Sequence, residues 1–93
     1  MKVKYLKRVK AFLKRANDHY SRLILHEALG SNPDLETLQM YAEDLTDTSY
    51  VCDLFLDGYY VEAYSFWYDL DIDPREYFPN WFCGLLEQAE DLE

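Results

Sequence analysis

The chain has 93 residues, enough for one domain with a modest core and too few for two. Nine Tyr, five Phe and two Trp favour a packed interior over disorder, although the formal net charge is −9. No apolar run approaches the roughly 20 residues needed to cross a bilayer, which argues against a membrane protein.

Charge is segregated along the chain. Eight of the nine Lys and Arg fall in residues 1–22 with a single acid, Asp18, for a formal +7. The other 71 residues hold seventeen acids and only Arg75 as a base, for a formal −16. The basic start, Met1 to Arg8, is followed by no apolar signal core or small-residue cleavage site, so a cytoplasmic protein is expected.

Residues 2–28 predict a long helix, with Asn17–Asp18 as a candidate break. At 100° per residue, Leu6, Val9, Phe12, Leu13, Ala16, Tyr20, Leu23 and Ile24 share one side. Lys4, Lys7, Arg8, Lys14, Arg15 and Arg22 lie opposite, as a basic outer stripe. Gly30 is the expected stop, so residues 1–29 read as one basic amphipathic unit.

An acidic, aromatic-rich part, 33–93, completes the single domain. Ser31-Asn32-Pro33-Asp34 predicts a helix start, with Ser or Asn as cap and Pro33 in the first turn. Leu35, Leu38, Tyr41, Ala42 and Leu45 recur at three- and four-residue steps. Thr46 to Ser49 reads as a break and a new cap. Between 50 and 70 two readings compete: a hairpin turning at Asp57-Gly58, or a helix ending at Gly58 and a second from Tyr59 to Leu70. Helices are favoured, because Asp53 falls on the strand face that Val51 and Phe55 would share. Asp73, with Glu76 three residues on, predicts a further cap. Asn80 is expected to cap a last helix, 81–91, with Phe82, Leu85, Leu86 and Ala89 inward. The expected fold is all-α, a compact bundle of four to five helices; an α+β fold with one hairpin is the alternative.

Signals for catalysis are weak. His19 and His26 stand two helical turns apart, too far to share one metal. No zinc, calcium or phosphate-loop motif and no nucleophile elbow is present. Asp69, Asp71 and Asp73 could hold a divalent cation, but a solvated loop leading into a helix is the simpler reading. Cys52 and Cys83 read as reduced, half-buried thiols. No metal, cofactor or enzyme activity is therefore expected.

Carboxylates are the stronger lead. Unpaired acids cannot enter an aromatic core, so they must line its outside. The candidate surface comprises Glu43, Asp44, Asp47, Asp53, Asp57, Glu62, Asp69, Asp71, Asp73, Glu76, Glu87, Glu90 and Asp91. On a helix such acids stand about 5–6 Å apart along one face. Duplex DNA also presents dense negative charge. Acidity for solubility alone is the plain alternative. A secondary basic face comprises Lys4, Lys7, Arg8, Lys14 and Arg15, which reads either as a solvated outer face partly paired to acids of the same fold or as a contact to an acidic partner or to a second copy in a homodimer. Direct nucleic-acid binding through it is not expected, because the other 71 residues repel phosphate.

Tyr50-Val51-Cys52-Asp53-Leu54-Phe55 resembles a helix pattern of the Ocr-like anti-restriction proteins: Tyr, two residues, Asp, an aliphatic, Phe. It follows an Asp34-Leu35 helix start that contains Met40, as in that pattern. The basic first helix and Asp57-Gly58 have no counterpart there. In size and charge the chain resembles small acidic DNA-mimic inhibitors generally, anti-CRISPR proteins included. The resemblance implies a phage-borne protein in the host cytoplasm. It would block a restriction or CRISPR nuclease by occupying its DNA groove. A different class remains open: an immunity protein, antitoxin or adaptor using exposed aromatics such as Tyr59, Tyr60 or Trp81.

Overall fold

The computed structural model describes residues 2–93. They form six α-helices and no strand: α1 Val3–Ala28, α2 Leu35–Leu56, α3 Tyr60–Tyr68, α4 Ile72–Tyr77, α5 Asn80–Glu87 and α6 Ala89–Leu92. The all-α expectation holds, and the hairpin alternative does not. Asp57-Gly58 ends a helix instead. Gly58 takes φ +90, its N–H donates to Phe55 O, and the Tyr59 N–H donates to Leu54 O. Those two bonds make a Schellman cap, which satisfies the last carbonyls of α2 and turns the chain into α3.

Several local expectations are corrected. Neither Asn17–Asp18 nor Thr46–Ser49 interrupts its helix. One contact ties the two stretches together, Ser49 Oγ donating to Asn17 Oδ1 at 3.3 Å, and Thr48 is fully buried, so packing overrides weak local propensity. α1 ends at Ala28 with Leu29 as its cap, and Gly30 does not take positive φ. The cap of α2 is Asp34 rather than Ser31 or Asn32. Its Oδ1 accepts from the Glu36 N–H at 3.0 Å, and Thr37 Oγ1 donates to Oδ2. The cap position of α4 belongs to Asp71, without a side-chain bond, and Asp73 falls inside the first turn. Pro79, not Asn80, precedes α5, and the expected last helix divides at Gln88.

The core sits where α1, α2, α3 and α5 meet. Val9, Phe12, Ala16 and Tyr20 come from α1, Val51, Cys52 and Phe55 from α2, Ala63 and Trp67 from α3, and Phe82 and Leu86 from α5. Phe82 is its hub. Its ring lies 5.6 Å from Phe12, 5.3 Å from Phe55 and 5.5 Å from Phe78, in edge-on or tilted contacts that aromatic quadrupoles prefer. Cys52 is sealed inside, while Cys83 is half-buried with its thiol toward Phe78 O; neither is in a disulfide.

Burial stops partway along the first two helices. From Ser21 to Asp47 no residue is fully buried. Leu23, Ile24, Leu38, Tyr41 and Leu45 are half-covered, and Leu35, expected to face inward, is 80% exposed. The end of α1 and the start of α2 thus form a two-helix arm beyond the body, and the molecule measures 49 × 24 × 20 Å.

Candidate functional site

Eleven of the thirteen proposed surface acids are exposed, and Asp44 and Asp47 are half-buried. The structure gathers five of them. Asp44 and Asp47 stand in the middle of α2 beside Glu43, within electrostatic reach of Asp71 at the cap of α4 and Asp73 in its first turn. Burial pushes the Asp44 carboxyl above its usual range, and Asp47, Asp73, Asp71 and Glu43 push it further. Asp47 is raised by burial and then by Glu43 and Asp71. Asp44 and Asp47 therefore stand in a field set up by neighbouring carboxylates from both segments.

Other acids stand elsewhere. Glu62 and Asp69 border a shallow hollow with Tyr50 and Phe66 on one flank of α3. Glu87, Glu90 and Asp91 border a second hollow, which shares Val61 and Ser65 with the first. Glu76 lies beside Arg75. Asp53 and Asp57 are exposed at the end of α2 and join neither group. The acidic surface is therefore one group at α2 and α4, one looser band around α3, and three acids, Asp53, Asp57 and Glu76, outside both.

Arg75, the lone base of this half, is occupied internally. Its guanidinium lies over Trp67 at 4.9 Å and Tyr68 at 5.2 Å, and Nη1 donates to Tyr68 O at 3.2 Å. It serves the free carbonyl end of α3, and among the described residues its hydrogen bond goes to no carboxylate. The basic residues Lys4, Lys7, Arg8, Lys14 and Arg15 are all exposed on α1. Arg8 is packed over Trp81 at 4.2 Å, which removes Trp81 from the free aromatic surface.

A further feature lies along one flank of α1, against Tyr77 of α4. Arg15, His19, Arg22 and His26 recur at four- and three-residue steps along α1 and line a cleft of about 670 Å³, with Leu23, Asp18 and Tyr77. The His19 ring stacks on Tyr77 at 4.5 Å, and Tyr77 meets Tyr20 edge-on at 5.5 Å. Tyr20 is itself buried at the border of the acidic cluster. Burial raises its hydroxyl pKa, the neighbouring Thr48 hydroxyl opposes that, and Asp44, Tyr77 and Asp73 add to it. Thr48 Oγ1 is buried without a hydrogen-bond partner, so its approach to Tyr20 is a polar contact short of a formed bond. The 15-19-22-26 spacing was readable, but Tyr77, sixty residues away, was not.

Among the described residues no group of three or more His, Cys, Asp and Glu side chains is placed to hold a metal ion, and no helix is long and apolar enough to cross a membrane. No protein-family model matches the chain, and neither a curated protein nor a solved structure matches it.

Proposed function

We propose that the protein is a non-catalytic inhibitor that binds a nucleic-acid-processing defence enzyme, a restriction or CRISPR nuclease, through an acidic surface standing in for DNA. The observation that supports this is that Asp44 and Asp47 of α2 lie in the field of Glu43 and of Asp71 and Asp73 from a distant part of the chain, so that carboxylates from two segments form one acidic group. Such a cluster costs folding stability, and a cationic groove on a partner is the surface that would repay it. The helical frame holds the carboxylates in place before binding, which limits the ordering cost on association.

The test is a panel of restriction and CRISPR nucleases assayed for DNA binding with and without the protein. Inhibition should be strong at low salt and fade as salt rises, and Asp47→Lys with Asp71→Lys should weaken it at least tenfold. Unchanged DNA binding across the panel would reject the reading. An immunity protein or adaptor is the second reading, favoured by the exposure of Tyr50, Tyr59 and Tyr68. It requires that Tyr59→Ala with Tyr68→Ala, rather than the charge reversals, abolish partner binding.

A further inference from the structure

We infer that the face combining the α1 cleft with the acidic cluster is self-complementary and pairs with a second copy of this chain. The cationic cleft and the acidic cluster are joined through one aromatic contact, Tyr77 to Tyr20 at 5.5 Å. Arg15 and Arg22 border the cleft, Glu43 and Asp47 belong to the cluster, and the Tyr77–Tyr20 contact runs between them. Tyr20 feels the field of Asp44 and Asp73 on one side, while Tyr77 carries His19 on the other. A twofold axis through that aromatic seam lays each cationic stripe on the partner's carboxylates, and the same contact is made twice, as an isologous interface requires.

Size allows it. An interface of standard size takes about 800 Å² from each partner, a small share of the 6257 Å² surface of one copy. Apolar material is present as well, because Leu23 and Tyr77 line the cleft floor. The cluster that carries the inhibitor reading lies inside this interface. If that reading holds, the dimer is a masked form and target and second copy compete. Dimerisation itself does not depend on it.

The experiment uses the full chain alone, with mass read by sedimentation or light scattering over a concentration series. A dimer is expected near about 50 mM salt, with a dissociation constant at least tenfold larger near about 500 mM, where screening is severe. Arg15→Glu with Arg22→Glu should leave a monomer, and so should Glu43→Lys with Asp47→Lys. Mixing the two variants in equal amounts should restore a complex of two chains, because each reversed surface then meets its opposite. Far-UV circular dichroism checks that each variant is folded; Arg→Gln and Glu/Asp→Gln/Asn pairs replace any that is not, each again expected to be monomeric. A wild-type monomer up to its solubility limit, reversed variants that dimerise like wild type, neutral pairs that do so, or folded variants that fail to complement would each overturn the proposal.

Discussion

Asp44 and Asp47 stand where folding and surface charge pull in opposite directions. Their carboxyls lie above the usual range first because the fold removes water from them, and then because other acids crowd them. A carboxyl whose folded pKa exceeds its unfolded value binds its proton more tightly in the native state. Its contribution to stability is therefore complete below the unfolded pKa and lost as pH rises through the folded one. The stability lost to charging these two groups should accordingly be recovered as pH falls toward the ordinary carboxylate range, about 4, which the urea midpoint of Asp44→Asn against wild type reads. Asp44→Asn should stabilise the protein at neutral pH by up to about 0.5 kcal/mol, roughly 2–4 °C in Tm, since the group is still largely solvated. It should also flatten the pH response. A calorimetric series across pH checks both, and a destabilised Asp44→Asn at pH 7 would contradict the account.

At the scale of elements, Gly58 decides where α2 stops. Nothing lies within 4 Å of a Cβ built there, so a substitution meets no clash, only the backbone penalty of φ +90. Gly58→Ala should cost about 1 kcal/mol, and Gly58→Asn, which tolerates this region better, should cost less. Chemical denaturation of the two variants orders them. That this glycine marks a boundary was legible, and so were the inner faces of α1 and α5, because helical periodicity is a local signal. Thr46 to Ser49 was misread for the opposite reason. The sequence there offers capping residues, while burial of Thr48 against α1, a contact invisible locally, keeps the helix going. Asp73 was likewise a sound cap by composition, but Asp71 reached the position first. The acids were named as a set; which five converge depends on how the loop before α4 folds back onto α2, and no spacing encodes that.

At the scale of the molecule, the arm sets the shape. The radius of gyration is 14.2 Å, against about 12 Å for a typical compact chain of this length. The excess comes from a segment, Ser21 to Asp47, without a fully buried side chain. Beyond the reach of α4, the two helices of the arm pack mainly on each other, which is marginal in water, so the tip of the arm should open without the body. Hydrogen exchange followed by mass spectrometry should find amides near Leu25 and Leu38 exchanging through local opening, with those near Phe55 and Phe82 requiring global unfolding. Equal protection in arm and body would contradict this. Pairing with a second copy would slow exchange on the cleft side of the arm, which ties this measurement to the dimer.

The unequal placement of the two thiols gives the protein a built-in reporter. Cys52 is wholly enclosed, and burial, then Asp53, pushes its thiol up to about 12, whereas Cys83 is partly open to solvent. An alkylating reagent should therefore modify one sulfur in the native state and the second only when the aromatic interior comes apart. The delay between the first and second mass increments is a clock for that event, and it runs on the unaltered chain.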